Sequence, residues 1–329
     1  GATEELGGLN VNASSGNGVI TFTSTIGDSG NAGVIGTTSI GNAATSDLNF
    51  NSTIYKFDGA TTITAAAGDT IDMGAGAATT FTTAADNITF ATGNIELANG
   101  SNLTVDTGAA GGNITIGEIG GTSVETVTLD AGTGTTSVGV IGSGTEIGAL
   151  SIGSAENGGI TLNGAITTDG VVTLDGPITL ATGAITITTA DDAINLQGTV
   201  DGGQALTLSS GSGAVTVDGA IGSSTALTSL TVNSSGAGTI EIADIGTSSA
   251  AGVSGATAIG NTSTGTLTLD GTVYTTTGTQ TYTAATGGGN IDITNTAGTT
   301  FTTTNTAIAF NTSGVDLANN ATTTIDTGT

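Results

Sequence analysis

The sequence predicts an all-β chain folded as a right-handed parallel β-helix, a β-solenoid with coils of about 20–22 residues and no helical domain. Three observations predict it. A long internal repeat runs through the chain, short apolar–Thr–apolar steps recur everywhere, and Asx-Gly pairs close many of those steps at a regular spacing.

The repeat comes first, because self-similarity at a fixed offset marks stacked architectures. Residues 1–108 return as residues 221–328, two copies of a ~220-residue super-repeat. Leu6, Leu9, Val11 and Asn12 return as Leu227, Leu230, Val232 and Asn233, and Ser39-Ile40-Gly41-Asn42 returns as Ala258-Ile259-Gly260-Asn261. Ile54, Tyr55 and Gly59 match Val273, Tyr274 and Gly278, while Phe81, Ile88 and Phe90 match Phe301, Ile308 and Phe310. Ile95-Glu96-Leu97-Ala98-Asn99 and Val105-Asp106-Thr107-Gly108 likewise match Val315-Asp316-Leu317-Ala318-Asn319 and Ile325-Asp326-Thr327-Gly328. The aromatics are scarce, and these keep the offset. Residues 1–329 are therefore read as one continuous β-solenoid. Neither end carries a polar cap, so the expectation is a stretch of a longer array or a subunit whose ends are covered by neighbours.

The strands come next. Ile160-Thr161-Leu162, Val172-Thr173-Leu174, Ile185-Thr186-Ile187, Leu206-Thr207-Leu208 and Val215-Thr216-Val217 alternate with period two, apolar in and Thr out. Their β-branched residues favour extended backbone. Corners follow at Asp175-Gly176, Gln197-Gly198 and Asp218-Gly219, after strands ending at 174, 196 and 217. Gly with Asp or Asn allows the positive φ of a sharp turn, and this spacing suits a coil of two or three faces. An antiparallel sandwich also uses such turns, but repetition at coil length favours stacking.

Composition narrows the function. Among 329 residues there are 27 acids, one base (Lys56), 57 Gly, one Pro, and no His, Cys or Trp. Yet Ile, Val and Leu recur throughout, so a narrow core of small residues can form where a disordered chain would lack one. A net charge of −26 opposes nucleic acid and anionic membranes, which both attract Lys and Arg. No apolar run approaches the ~18 residues that span a bilayer as a helix. Cys₄-type metal sites and disulfides are excluded, and nucleophilic triads lack their usual base.

The segments Thr225-Ala226-Leu227-Thr228-Ser229-Leu230-Thr231-Val232 and Thr277-Gly278-Thr279-Gln280-Thr281-Tyr282-Thr283 resemble the repeats of filamentous-haemagglutinin-like exoproteins, the β-strand-repeat large adhesins of Gram-negative bacteria. The resemblance covers essentially the whole chain as a style of repeat. It implies a parallel β-helix exported to the cell surface, with a role in adhesion, biofilm or fibre formation.

The remaining candidates for chemistry are few. Lys56 is best read as a solvated lysine, since its counterpart is Thr275; an isopeptide bond from it would need a buried carboxyl. Asp191-Asp192, the one Asp-Asp pair, is tested as a glycosidase dyad and read as a corner carboxylate. Asp-Gly corners are expected to hold calcium at most weakly, because tandem Gly-Gly-x-Gly-x-Asp nonapeptides are missing. Thr-x-Thr steps at Thr62, Thr80, Thr266 and Thr281 would suit ice if their ranks were flat and unbroken, and are read as ordinary outward Thr. Asn-x-Ser/Thr sites begin at Asn12, Asn51, Asn87, Asn99, Asn102, Asn113, Asn233, Asn261, Asn311 and Asn320.

The expected function is that of an extracellular structural or adhesive fibre protein, with no enzymatic activity, no catalytic, cofactor or metal residues, and no nucleic-acid or membrane partner. Its expected partners are further copies or coils stacked end to end, and surface glycans. A carbohydrate-active enzyme or glycan-binding module on the same scaffold is the alternative.

Overall fold

A computed structural model describes residues 5–14, 16–153, 158–319 and 321–328. The chain is a parallel β-solenoid of about 13 turns, all β, with no helix among the described residues. It divides into two compact units, one of residues 1–161 with 167–169, the other of residues 162–166 with 170–329.

In the first unit the second, third and fourth coils each supply three short strands, while in the two that follow the first two strands merge into one, Ile114–Gly120 and Thr135–Ile141. The coil after the first holds Thr38–Ile40, Thr45–Phe50 and Ile54–Lys56; the next holds Thr61–Thr64, Thr70–Met73 and Thr79–Thr82. Strands on one face pair in parallel with those of neighbouring coils, Ile40 against Ile63, Ile63 against Phe90, Phe90 against Ile116 and Ile116 against Val138. All five side chains are buried. Alternation turns every second residue inward, so the core is a set of such columns, one per face.

The second unit repeats the scheme. Val172–Leu174, Ile194–Leu196, Val215–Val217, Ile240–Ile242, Leu267–Leu269, Ile291–Ile293 and Val315–Leu317 stack in parallel on one face. Val172, Ile194, Val215, Ile240, Leu267 and Ile291 form its buried inner column.

Coil length holds to expectation only in part. Ile194 pairs with Val215, 21 residues on, and Val172 with Ile194, 22 on. Elsewhere coils lengthen: Ile240 pairs with Leu267, 27 on, and Leu9 with Thr38, 29 on. The extra residues lie in corner loops that carry their own clamps. The Asp28 carboxylate accepts from the Gly30 and Asn31 amides at 2.7 and 2.8 Å, and at the matching position of the second copy the Thr247 hydroxyl accepts from the Ala250 amide at 3.0 Å.

Two expectations about residues are corrected. The corners do not all depend on positive φ: Gly176 has φ +140°, but Gly198, Gly219 and Gly271 do not lie in that region. Glycine is required there by approach. A Cβ on Gly198 would sit 2.0 Å from the Gly176 carbonyl oxygen, and one on Gly219 would sit 2.2 Å from that of Gly198. Positive-φ glycines also stand at other corners, as at Gly41 (φ +73°) and its counterpart Gly260 (φ +75°). Beside them Asn42 and Asn261 donate to the carbonyls of Ala13 and Ser234 on the preceding coil, each at 2.9 Å.

Nor does Thr always face out. Buried Thr or Ser hydroxyls close corners by donating to a carbonyl a few residues ahead: Thr107 to Gly112 at 2.7 Å, Ser210 to Gly213 at 2.8 Å, Ser234 to Gly238 at 2.9 Å and Thr303 to Thr306 at 2.7 Å. An unbonded buried hydroxyl is costly, so the turn that offers a carbonyl is selected with it.

Each copy of the super-repeat has its own aromatic cluster. Phe50, Tyr55, Phe81 and Phe90 pack with centroid distances of 4.8–5.4 Å, and so do Tyr274, Tyr282, Phe301 and Phe310, with Tyr274–Tyr282 at 6.1 Å. Tyr282 stands where the first copy has Ile63, and Leu269 where it has Phe50, so bulk lost at one position is restored at another.

Candidate functional site

Lys56 lies on Ile54–Lys56, its Nζ donating to the Ser29 carbonyl at 3.5 Å beside the exposed Asp28. That carboxylate is fully solvated and occupied by backbone amides, which first of all hold its pKa below the ordinary value. The burial that isopeptide formation requires is not there.

Asp191 and Asp192 sit exposed on the corner after Ile185–Thr189. Asp191 accepts from the Ser212 amide of the next coil at 2.8 Å, which lowers its pKa. A group held ionised is no general acid.

That bond exemplifies how the polar residues are employed. Asp201 accepts from the amides of Ser224 and Thr225 at 2.7 and 2.9 Å, and Asp244 from those of Thr272 and Val273 at 2.6 and 2.9 Å. Asn87 accepts from the Asn113 amide at 2.8 Å, and Asn113 in turn from that of Thr135 at 3.0 Å. Asn102 does the same for Thr126 at 2.8 Å. Each is a stitch from one coil to the next. Sequence reading takes several of these asparagines only as glycan acceptors; the stitching depends on register, which only the fold supplies. Of the acceptor sites, Asn261 spends its Nδ2 on Ser234, and Asn320 lies outside the described residues.

Two buried polar residues are not legible beforehand. Glu125 is buried, accepting from the Thr122 amide and hydroxyl at 2.6 Å each and from the Gly100 amide at 3.1 Å. Burial alone would raise its pKa, but these donors outweigh burial and hold it below the ordinary value. Gln280 lies in the second aromatic cluster, its Nε2 donating to the carbonyls of Tyr274 and Thr302 at 2.8 and 2.9 Å. Its Oε1 accepts from the Tyr282 hydroxyl at 3.0 Å.

Carboxylates also gather in outward ranks. Asp72 stacks on Glu96, and Asp292 on Asp316. Burial, then neighbouring negative charge, raises the pKa of Asp72, Glu96, Glu241 and Asp292. Burial is likewise the main cause for Asp270. Among the described residues no three acidic side chains gather into a metal-binding group.

These shifts make stability depend on pH. Groups raised on folding contribute stability that is present below their unfolded pKa, about 4 for carboxylates, and lost as pH rises through the folded value. Glu125 works the other way, its contribution disappearing as pH falls through its lowered value. The melting temperature should therefore rise as pH is lowered from about 7 into the carboxylate range, then fall in stronger acid. Thermal melts of the native chain and of D72N/E96Q check this, the variant expected to show a shallower rise. A flat profile would remove the ranks as a source of strain.

The Thr-x-Thr steps keep their central residues Ile63, Phe81, Leu267 and Tyr282 buried. Register extends one outward rank further than the sequence suggests: Ser39, Thr62, Thr89, Thr115 and Ser137 run unbroken across five coils. In the second unit Ala258 interrupts Thr207, Thr231 and Thr281. Beside the first rank lies an open depression of about 560 Å³ lined by Leu9, Asn10, Thr37, Ser39, Ala60 and Thr62. It offers hydroxyls and an amide, and no titratable side chain.

No helix of the described residues is long and apolar enough to cross a membrane. No protein-family model, curated protein or solved structure matches the chain.

Proposed function

We propose that this chain is an extracellular structural or adhesive protein of the filamentous-haemagglutinin-like kind, in which the solenoid is a passive scaffold. The supporting observation is the use of its polar side chains. Asp191, Asp201, Asp244, Asn87, Asn102, Asn113 and Glu125 are bonded to backbone of their own or neighbouring coils, so the groups best suited to chemistry hold the stack together. Continuous ladders of this kind resist local opening, since each coil is fixed by the two beside it.

A glycan-binding reading has one observation in its favour, the hydroxyl-lined depression at Asn10, Ser39 and Thr62. Hydroxyls and amides are the groups that meet sugar hydroxyls in hydrogen bonds. The two readings part in one experiment. The purified chain is incubated with a panel of neutral and acidic polysaccharides, assayed for new chain ends, and in parallel applied to a glycan array. The scaffold reading expects no turnover, and adhesion through the depression would appear as array binding lost in S39A/T62A. Turnover of any polysaccharide by the pure chain defeats the scaffold reading.

A further inference from the structure

Midway along the first unit an open hollow of about 330 Å³ lies at the corner between two strand faces. It is lined by Gly68, Gly93 and Gly117 of three successive coils, together with Thr92, Asn94 and Glu118. The fold accounts for two of the glycines. Gly68 and Gly93 have φ of +86° and +91°, and a Cβ on Gly93 would sit 2.6 Å from that of Ala65.

Gly117 is different. It lies inside the strand Ile114–Gly120, its φ is not positive, and a Cβ there would meet nothing within 4 Å. Glycine within a strand weakens it, and marks a bulge, a tight bend or the close approach of backbone or ligand. Pairing keeps its register on either side, Ile116 with Val138 and Glu118 with Val140, so there is no bulge. An ordinary φ lets other residues follow the bend. Backbone crowding explains only the neighbour: a Cβ on Gly139 would sit 1.8 Å from the Gly117 carbonyl oxygen. What the missing side chain of Gly117 does is keep the hollow open to something outside.

The polar groups around it have capacity to spare. Glu118 Oε1 accepts from the Ser143 hydroxyl, and Oε2 has no partner among the described residues. The Asn94 carboxamide makes no hydrogen bond among them either. Thr92 donates to the Ala65 carbonyl at 2.6 Å, which leaves its oxygen able to accept. This set selects a ligand class. Ala67 is the only apolar side chain in the lining, so an apolar ligand gains little. The carboxylate and the net charge of −26 turn anions away. No three acidic side chains gather among the described residues, as a protein-held divalent cation would need. Adjacent hydroxyls that both donate and accept match a carboxylate beside a carboxamide, and a sugar ring carries them.

We propose that the hollow is a subsite for a neutral saccharide, its ring over Gly117, with adjacent hydroxyls bonded to Glu118 Oε2 and the Asn94 carboxamide and a third donating to Thr92 Oγ1. The volume, at the small end of ligand sites, suits a ring or a short oligomer. The subsite rests on the adhesive side of the function proposed above and shares no residue with the depression at Asn10, Ser39 and Thr62. Gly314 stands at the place of Asn94 in the second copy, so only the first copy carries it.

The full chain is applied to an array of neutral, amino-bearing and acidic oligosaccharides at about 0.1 and 1 M salt. At least one neutral glycan should bind, with little change between the two salts. Gly117→Gln fills the hollow where there is room for a side chain, so it should abolish that binding without lowering the melting temperature. Glu118→Gln and Asn94→Ala should each weaken it about tenfold, the scale of losing a hydrogen bond to a charged group or a pair of neutral ones. S39A/T62A should leave it unchanged. D316N carries the same net charge as E118Q and controls for general attraction. The proposal is overturned if no neutral glycan binds, or if G117Q melts like the native chain and still binds. Should G117Q fail to fold, native affinity in both E118Q and N94A overturns it. Binding of amino-bearing glycans alone, weakened equally by E118Q and D316N, overturns it as well. Any of these leaves the passive scaffold standing. Turnover of a polysaccharide by a chain whose binding is lost in G117Q does the reverse, removing the scaffold reading and keeping the subsite.

Discussion

Ile240→Ala will lower stability by about 2–5 kcal/mol, the range for deleting most of a fully buried aliphatic side chain. Ile240 stands in the middle of an inner column, between Val215 before it and Leu267 after it, and none of the three is accessible. Those neighbours cannot move in to fill the gap. Their strands are held at ladder spacing by backbone bonds on both sides, such as Val215 N to Thr239 O at 2.9 Å and Ile240 N to Thr266 O at 3.0 Å. Because a solenoid's stability is a sum of coil and interface terms, the damage should be local, with proteolysis concentrated near residue 240 and a broadened denaturant transition. Glu241, next in the same strand, faces outward with a pKa raised by burial and by Asp270 and Asp218. Glu241→Ala should be neutral or stabilising at neutral pH. Equal losses from both substitutions, measured by urea denaturation, would contradict the division into inner column and outer rank.

Gly219→Val should be at least as damaging, for a different reason. Gly219 has no positive φ, so strain in its own backbone is not the issue. Its Cβ would lie 2.2 Å from both the carbonyl carbon and oxygen of Gly198, which is backbone and cannot rotate away. Relief requires parting the coils, and with them the bonds Asp218 N to Leu196 O (2.9 Å) and Val200 N to Ala220 O (3.0 Å). The loss should therefore exceed the ~1–3 kcal/mol usual for overpacking, and soluble yield should collapse. Gly203→Ala is the control. A Cβ there meets nothing within 4 Å and φ is not positive, so the melting temperature should barely change. Should Gly219→Val melt like the native chain, the coils are further apart at that corner than the geometry indicates.

Much of the architecture was legible because it depends on local pattern. Ile-Thr-Leu and Val-Thr-Val triplets alternate with the period of a strand, and the matching of Tyr55 with Tyr274 and Phe81 with Phe301 carries the offset between copies. The inward placement of Ile63, Phe81 and Tyr282 followed from that alternation. Corners were harder. Asp218-Gly219 looks like a positive-φ turn, yet glycine is required there by what lies one coil away. The buried hydroxyls of Thr107, Ser210 and Ser234 resemble any surface Thr or Ser until their coil closes around them. The same holds for the candidate chemistry. The corner placement of Asp191 could be read from its neighbours, but its bond to Ser212 lies 21 residues along the chain.

By itself, then, the sequence determined that the chain is β, that it repeats, and that its inner residues are aliphatic or aromatic. Each of these follows from side-chain chemistry and a period of two along a strand. The tertiary structure alone decided how long each coil is, which residues stack on which, and which polar atoms are engaged in stitching. Stacking register joins residues at varying separations, 21 positions in Ile194–Val215 and 29 in Leu9–Thr38, and no local preference encodes that distance. It is set by the fit of each coil onto the one before it, where a single added Cβ or a missing methyl changes the contact.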